Sequence, residues 1–124
     1  MQAVADTNFV IAVMFKDHEN HRMALKKWSN LEKAYLPIIS ITELAYYLVK
    51  NKMDLGIIEE VLNDPKIEVV PVTLEDVYYA LGNRDEVRGY DDVNDFLILS
   101  ISLRLNLQLL TFDKKLKRKI QRRL

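Results

Sequence analysis

The chain has 124 residues, of which 49% are hydrophobic and 29% charged, with a formal net charge of zero and no cysteine. That length suits a single domain over residues 1–124, large enough to bury a core without staples. The missing cysteines exclude disulfides and thiolate metal sites, which fits a reducing, cytoplasmic setting.

Taken in chain order, Gln2–Ala5 is a first short strand. The acid at Asp6 and the lack of a basic region before it argue against a signal peptide. Thr7–Phe15 is apolar almost all round, as expected of a helix buried on several sides. Residues 20–31 carry Met23, Ala24, Trp28 and Leu31 at helical spacing, a surface helix with one apolar stripe. Residues 34–39 form a second strand, kept short by Pro37. Ser40–Lys52 is helical, with Ser40-Ile41-Thr42-Glu43 reading as a capping box. Asp54–Leu62 is a further helix capped by Asp54. Ile67–Val70 is a third strand, and Thr73–Leu81 a helix that opens on a T-x-x-D capping box. Residues 82–90 are a polar loop bounded by Gly82 and Gly89. Asp91–Asn106 is a helix apolar over a wide arc, 107–111 a fourth strand, and 114–123 a last helix.

That last segment holds the charge asymmetry. Seven basic side chains and no acid fall within residues 114–124, leaving 11 basic against 18 acidic groups before them. An acidic body with a basic tail suggests an anionic partner such as nucleic acid; a solvated helix with cations near its C-terminal dipole end is the plainer reading. No apolar run approaches the roughly 20 residues that span a bilayer, so no membrane association is expected.

Strands separated by helices of this length need crossovers, so the expected fold is α/β: a three-layer α/β/α sandwich on a short, mainly parallel sheet. Ligands of such sheets bind outside the carboxyl ends of the strands. Asp6, Glu43 and Asp113 follow the first, second and fourth strands, and Asp95 lies near the start of the helix leading into the fourth. Each could be a helix cap or a dipole partner. As a set they share one rim of a parallel sheet. Carboxylates gathered within about 4–6 Å raise one another's pKa, and a bound cation makes such a cluster favourable at neutral pH. An oxygen-only donor set suits a hard ion, Mg²⁺ or Mn²⁺.

These residues carry a family resemblance. Ala5-Asp6-Thr7-Asn8, S-x-T-E-L at 40–44, D-F-L-I-L-S at 95–100 and L-L-T-F-D-K-K-L at 109–116 together resemble PIN-domain proteins, and in particular the VapC-like toxin ribonucleases. The resemblance covers nearly the whole chain in the right order. It implies a metal-dependent endoribonuclease in which Asp6, Glu43, Asp95 and Asp113 are catalytic and bind the metal. Asn8 and Thr111 match orienting positions beside the first and last acids. Asp91 and Asp92 are extra acids one turn before Asp95, read as caps, with a water or second-ion role as the alternative. The resemblance also implies RNA as substrate, a small antitoxin protein as partner and a homodimer. The wide apolar arc of residues 96–105 also motivates the dimer. Lys114, Lys115, Lys117 and Arg118 are the candidate RNA backbone contacts. Two departures stand out: Phe96 and Leu99 are large where the family often has small residues, and a basic helix-like segment replaces the final strand that many relatives carry.

Other readings fare worse. His18 and His21 form a polar helix start, since no third His or any Cys is available. Tyr46, Tyr47, Tyr78, Tyr79 and Tyr90 could stack on bases, or equally serve a core or an interface. A haloacid-type phosphatase needs an acid where Asn8 stands. A phosphoacceptor receiver needs an Asp after the third strand, where the sequence reads Pro71-Val72-Thr73, and a Gly-rich phosphate loop is absent. The serious alternative is a non-catalytic nucleic-acid-binding or RNA-processing module of the same fold.

Overall fold

A computed structural model describes residues 1–123. Its elements follow the order β1 (Gln2–Ala5), α1 (Thr7–Met14), α2 (His21–Ser29), β2 (Lys33–Pro37), α3 (Ile38–Lys50), α4 (Ile57–Leu62), β3 (Ile67–Val70), α5 (Leu74–Gly82), α6 (Tyr90–Leu105), β4 (Gln108–Leu110) and α7 (Lys114–Gln121), with one 3₁₀ turn at Arg84–Glu86.

The four strands form one all-parallel sheet in the order β3-β2-β1-β4. β2 and β3 are added to one side of β1, whereas the crossover through α5 and α6 carries β4 to the other side. The direction of winding therefore reverses at β1, and a crevice opens beside its carboxyl end. Successive strand residues face opposite sides, which fixes where the helices lie. Ala3, Ala5, Ala34, Leu36 and Leu110 pack with Phe9, Ala24, Leu44 and Leu48 on the α1–α4 side, whereas Leu109 packs with Phe96, Ala80 and Ile120 on the α5–α7 side. Three layers result, as the sequence predicts.

Several expectations change. Asp54 does not cap α4, which starts at Ile57 with Gly56 as its N-cap; Asp54 accepts the Gly56 N–H in the turn before it. Ser40-x-x-Glu43 is not a capping box, because α3 starts directly off the strand with Pro37 as its N-cap. Proline has its φ preset and no N–H to lose, so it suits this abrupt strand-to-helix turn. Ser40 lies inside the helix, buried, and Glu43 stands in the second turn. The wide apolar arc of α6 is used inside the chain: residues 94–102 are all buried, against α5, α7 and the sheet. Of the apolar residues within 96–105, Leu103 is the exposed one.

Most polar side chains of this interior are paired; Ser40 Oγ and Asn94 Oδ1 are buried with no hydrogen-bond partner among the described residues. Asp76, fully buried, closes the predicted capping box with Thr73 and accepts from Ser100 Oγ at 2.7 Å and Arg104 Nη2 at 3.0 Å. Burial pushes its carboxyl up, but the donors from Arg104, Thr73 and Ser100 outweigh it and hold the group below its usual range. The 16-residue α6 ends on Asn106 in the left-handed conformation (φ 55°), which asparagine tolerates better than most residues.

Candidate active site

Asp6 leaves the end of β1 and caps α1. Its backbone N–H extends the β1–β4 ladder by donating to the Leu110 carbonyl at 3.0 Å. Its Oδ1 accepts from the Thr7 N–H at 2.7 Å and its Oδ2 from Thr111 Oγ1 at 2.9 Å. Burial pushes the Asp6 carboxyl up to about 7, with smaller repulsion from Glu43 and Asp95; the Thr111 and Thr7 donors offset only part of it.

Thr111 sits where β4 ends. Besides donating to Asp6, its hydroxyl accepts from the Asp113 N–H at 3.0 Å. Asn8, in the first turn of α1, accepts the Phe112 N–H at 3.0 Å on its Oδ1. Asn8 and Thr111 thus lace the start of α1 to the β4–α7 junction and set where Asp113 stands. Asp113 caps α7, its Oδ1 accepting the Lys115 N–H at 2.8 Å.

Glu43 reaches the same place from α3. Its Oε1 accepts from Thr7 Oγ1 at 2.6 Å and its Oε2 from Asn94 Nδ2 at 3.2 Å. The residue after Asp6 therefore orients Glu43, and the residue before Asp95 holds Glu43's other oxygen. Asp95 enters from the second turn of α6, 8% exposed. Burial raises its carboxyl to about 6, against the attraction of Lys119, whose Nζ lies 3.2 Å from Oδ2. Asp6, Asn8, Glu43, Asp91, Asp95 and Asp113 line one open cleft of about 200 Å³.

Asp91 and Asp92 part company. Asp91 is exposed and pairs with Lys115 Nζ at 2.9 Å. Asp92 is buried: its Oδ2 accepts from the N–H groups of Arg88 and Gly89 just before α6, and its Oδ1 faces Lys119 Nζ at 2.8 Å. The Lys119 and Arg88 donors hold Asp92 far below the usual carboxylate range.

Of the basic residues predicted to touch a partner, Lys114 and Arg118 are exposed, Lys117 Nζ lies 5.8 Å from the centre of the Phe112 ring, and Lys115 is committed to Asp91 and Asp92. Thr7, Asn94 and Lys119 went unnoticed in the sequence. Thr7 and Asn94 sit next to Asp6 and Asp95, yet their partner Glu43 lies 36 and 51 positions away. Only the fold reveals those contacts.

A family model for the PIN domain matches residues 3–120. The chain belongs to the PIN-domain family. The PIN fold is equally evident in solved structures. A VapC20 toxin from Mycobacterium tuberculosis, described as cleaving the sarcin-ricin loop, superposes with a TM-score of 0.80 at 16% identity over 94% of both chains. A toxin-antitoxin complex from Klebsiella pneumoniae gives 0.69 at 19% identity, covering 91% of this chain and 88% of that one. VapBC2 from Rickettsia felis, bound to a DNA fragment from its promoter, gives 0.65 at 21% identity over 95% and 92%. At such identities the likeness is one of fold. No curated protein matches the chain by sequence.

The donor chemistry of this PIN site fits a hard divalent cation. Its donors are oxygens, two of its buried carboxyls have pKa values raised by desolvation and mutual repulsion, and Asp95 Oδ1 and Asp113 Oδ2 have no hydrogen-bond partner among the described residues. Among those residues no three acidic or imidazole side chains close on a single point. The carboxylates stand around the cleft instead, which suits an ion that keeps several of its waters, as Mg²⁺ does.

Proposed function

We propose that the protein is a metal-dependent endoribonuclease, the toxin of a toxin-antitoxin pair. One observation carries the reading. Four carboxylates from β1, α3, α6 and the β4–α7 junction line one cleft, at the sheet edge where α/β folds bind ligands, and Asp6 is too buried to carry its charge comfortably alone. Membership of the PIN family and the likeness to VapC structures support it.

Asp6, Glu43, Asp95 and Asp113 would hold Mg²⁺ or Mn²⁺. When bound, such an ion supplies Lewis-acid activation of water and charge neutralisation at a phosphate. The protein's own residues do the rest. Thr111 and the Thr7 N–H fix the Asp6 carboxylate, Thr7 and Asn94 fix Glu43, and Asn8 fixes the loop that presents Asp113. Hydrolysis forms a bond from water oxygen to phosphorus and breaks a phosphodiester P–O bond, with the departing oxygen taking up a proton. Exposed Lys114 and Arg118, with Lys117, follow Asp113 along α7 and would position the RNA backbone without reading its sequence.

Among the described residues no helix is long and apolar enough to cross a membrane. The cytoplasmic setting proposed for the protein rests on its lack of cysteine. The neighbours that are toxin-antitoxin complexes support a small antitoxin partner. For the homodimer, α6 is replaced as the candidate face by α5, where Leu74, Val77, Tyr78 and Leu81 form an exposed apolar row at helical spacing. Light scattering that gives a monomer at high concentration would remove the dimer.

The second reading, a non-catalytic RNA-binding module, draws on the carboxylates' separation and their hydrogen bonds within the chain. Incubation of a structured RNA with the wild type and Asp6→Asn, in chelator and then in Mg²⁺ or Mn²⁺, separates the two. The enzyme cuts only as wild type with metal. The module binds RNA equally in both forms and never cuts it.

A further inference from the structure

α7 docks through Leu116, Lys119, Ile120 and Arg123, which recur at helical spacing on one face. Three of these are ordinary docking groups: Leu116 is fully buried, Ile120 packs on the α5–α7 cluster, and Arg123 stacks 5.0 Å from the centre of the Phe96 ring. Lys119 is different. It is only 6% exposed, and its ammonium lies 2.8 Å from Asp92 Oδ1, 3.2 Å from Asp95 Oδ2 and 5.5 Å from the centre of the Phe96 ring. A lysine is almost never buried unless its charge is matched. Here two carboxylates one helical turn apart match it, and one of them is Asp95 of the cleft.

Asp92 is aimed at Lys119 independently of it. The Arg88 and Gly89 N–H groups hold its Oδ2 at 2.8 and 3.2 Å, so Oδ1 must point where Lys119 arrives. Both Asp92 oxygens and Oδ2 of Asp95 are then occupied. Only Oδ1 of Asp95 is left for the cleft, beside Asp6, Glu43 and Asp113.

We propose that Lys119 is a built-in cation, a positioning residue that occupies the Asp92–Asp95 side of the site and limits it to one divalent ion. The inference rests on the metal-site reading given above. A second divalent ion on that side would displace a buried ammonium from its two carboxylates or sit beside it, where like charges repel strongly in a partly dry setting. Lys119 also turns Asp95 so that a single oxygen addresses the shared ion. The basic helix thus contributes to the site from inside, through the one lysine that its solvent-exposed charges conceal.

The test counts ions. Titration of the purified protein with Mn²⁺ at pH 7.5, read by the electron paramagnetic resonance of free Mn²⁺, is expected to give one ion per chain for the wild type. Lys119→Met, which keeps the apolar stem and removes the charge, is expected to bind two and to show the broadened spectrum of a spin-coupled pair. Lys119→Arg is expected to return to one. A merely structural lysine would leave the count unchanged, so one ion on a folded Lys119→Met overturns the proposal. Two ions on the wild type overturn it alone, with the metal-site reading intact. No binding to the wild type overturns both. If Lys119→Met loses its far-UV circular dichroism, Lys119→Gln, which removes the charge but keeps a polar end, takes its place: two ions support the proposal and one ion overturns it.

Discussion

Thr111 and Asp6 are 105 positions apart and joined by a hydrogen bond of 2.9 Å between Thr111 Oγ1 and Asp6 Oδ2. The same hydroxyl accepts the Asp113 N–H, so one side chain ties the first acid to the last. Thr111→Val keeps the shape and removes both functions. It is expected to cost about 1–3 kcal/mol in urea unfolding, because a buried carboxylate and an N–H lose their partner. Mn²⁺ affinity is expected to fall about 10–100-fold, the usual penalty for losing a group that orients a ligand. Thr111→Ser should recover most of both.

Acid titration of the metal-free protein should run against the usual trend. Asp6 is raised to about 7 and Asp95 to about 6, both above the ordinary 3.8. Between about pH 4 and 7 the folded chain therefore binds more protons at these groups than the unfolded chain does. Their contribution to stability is complete below the unfolded value and is lost as pH rises through the folded one. Asp76 and Asp92 are shifted downward, so their contribution fades only below about pH 4. Thermal melts in chelator should show Tm rising as pH is lowered from 8 to 5.5. Asp6→Asn should flatten that rise, being more stable than wild type at pH 8 and nearly equal to it at pH 5.

The Asp76–Arg104 pair lies away from the cleft and joins α5 to α6. Arg104→Met removes one partner of a fully buried carboxylate. The expected loss is about 3 kcal/mol, at the low end for a broken buried pair because Thr73 and Ser100 still donate to Asp76. Chemical denaturation should show this loss, while Mn²⁺ affinity and RNA cleavage per folded molecule stay at the wild-type level.

For RNA binding, the exposed cations should differ from the paired one. Alanine at Lys114, Lys117 or Arg118 should each lower the slope of log K against log salt by about 1, the signature of a lost phosphate contact. Alanine at Lys115 should change the slope less, since its ammonium is held by Asp91 and Asp92. Fluorescence anisotropy on Asp6→Asn, which is expected not to cut the RNA, measures all four.

How much of this was legible in the sequence depended on range. β1 and β3 have the predicted bounds, and the Thr73–Asp76 box forms as read, because those signals are local. The parallel sheet followed from the helices between strands. Ser40-x-x-Glu43 misled, because a box pattern cannot reveal that the helix, capped by Pro37, has already started at Ile38. The arc of α6 misled for a related reason. Periodicity shows that a face is apolar, but not whether the covering element is a sheet, α5, α7 or another chain. Asp92 and Lys119 were hidden most deeply, as a cap among acids and a lysine among lysines. Only the docking of α7 on α6 gives them a shared role.

The single-turnover rate of RNA cleavage at saturating Mn²⁺, measured for Asp6→Asn, Glu43→Gln, Asp95→Asn and Asp113→Asn against the wild type, tests the central claim most directly. Each substitution keeps shape and removes one charge from the cleft. The prediction is cleavage by the wild type that chelator abolishes, and a loss of about 100-fold or more in each folded variant. Cleavage at the wild-type rate by all four variants, or none by the wild type under any divalent metal, would contradict it.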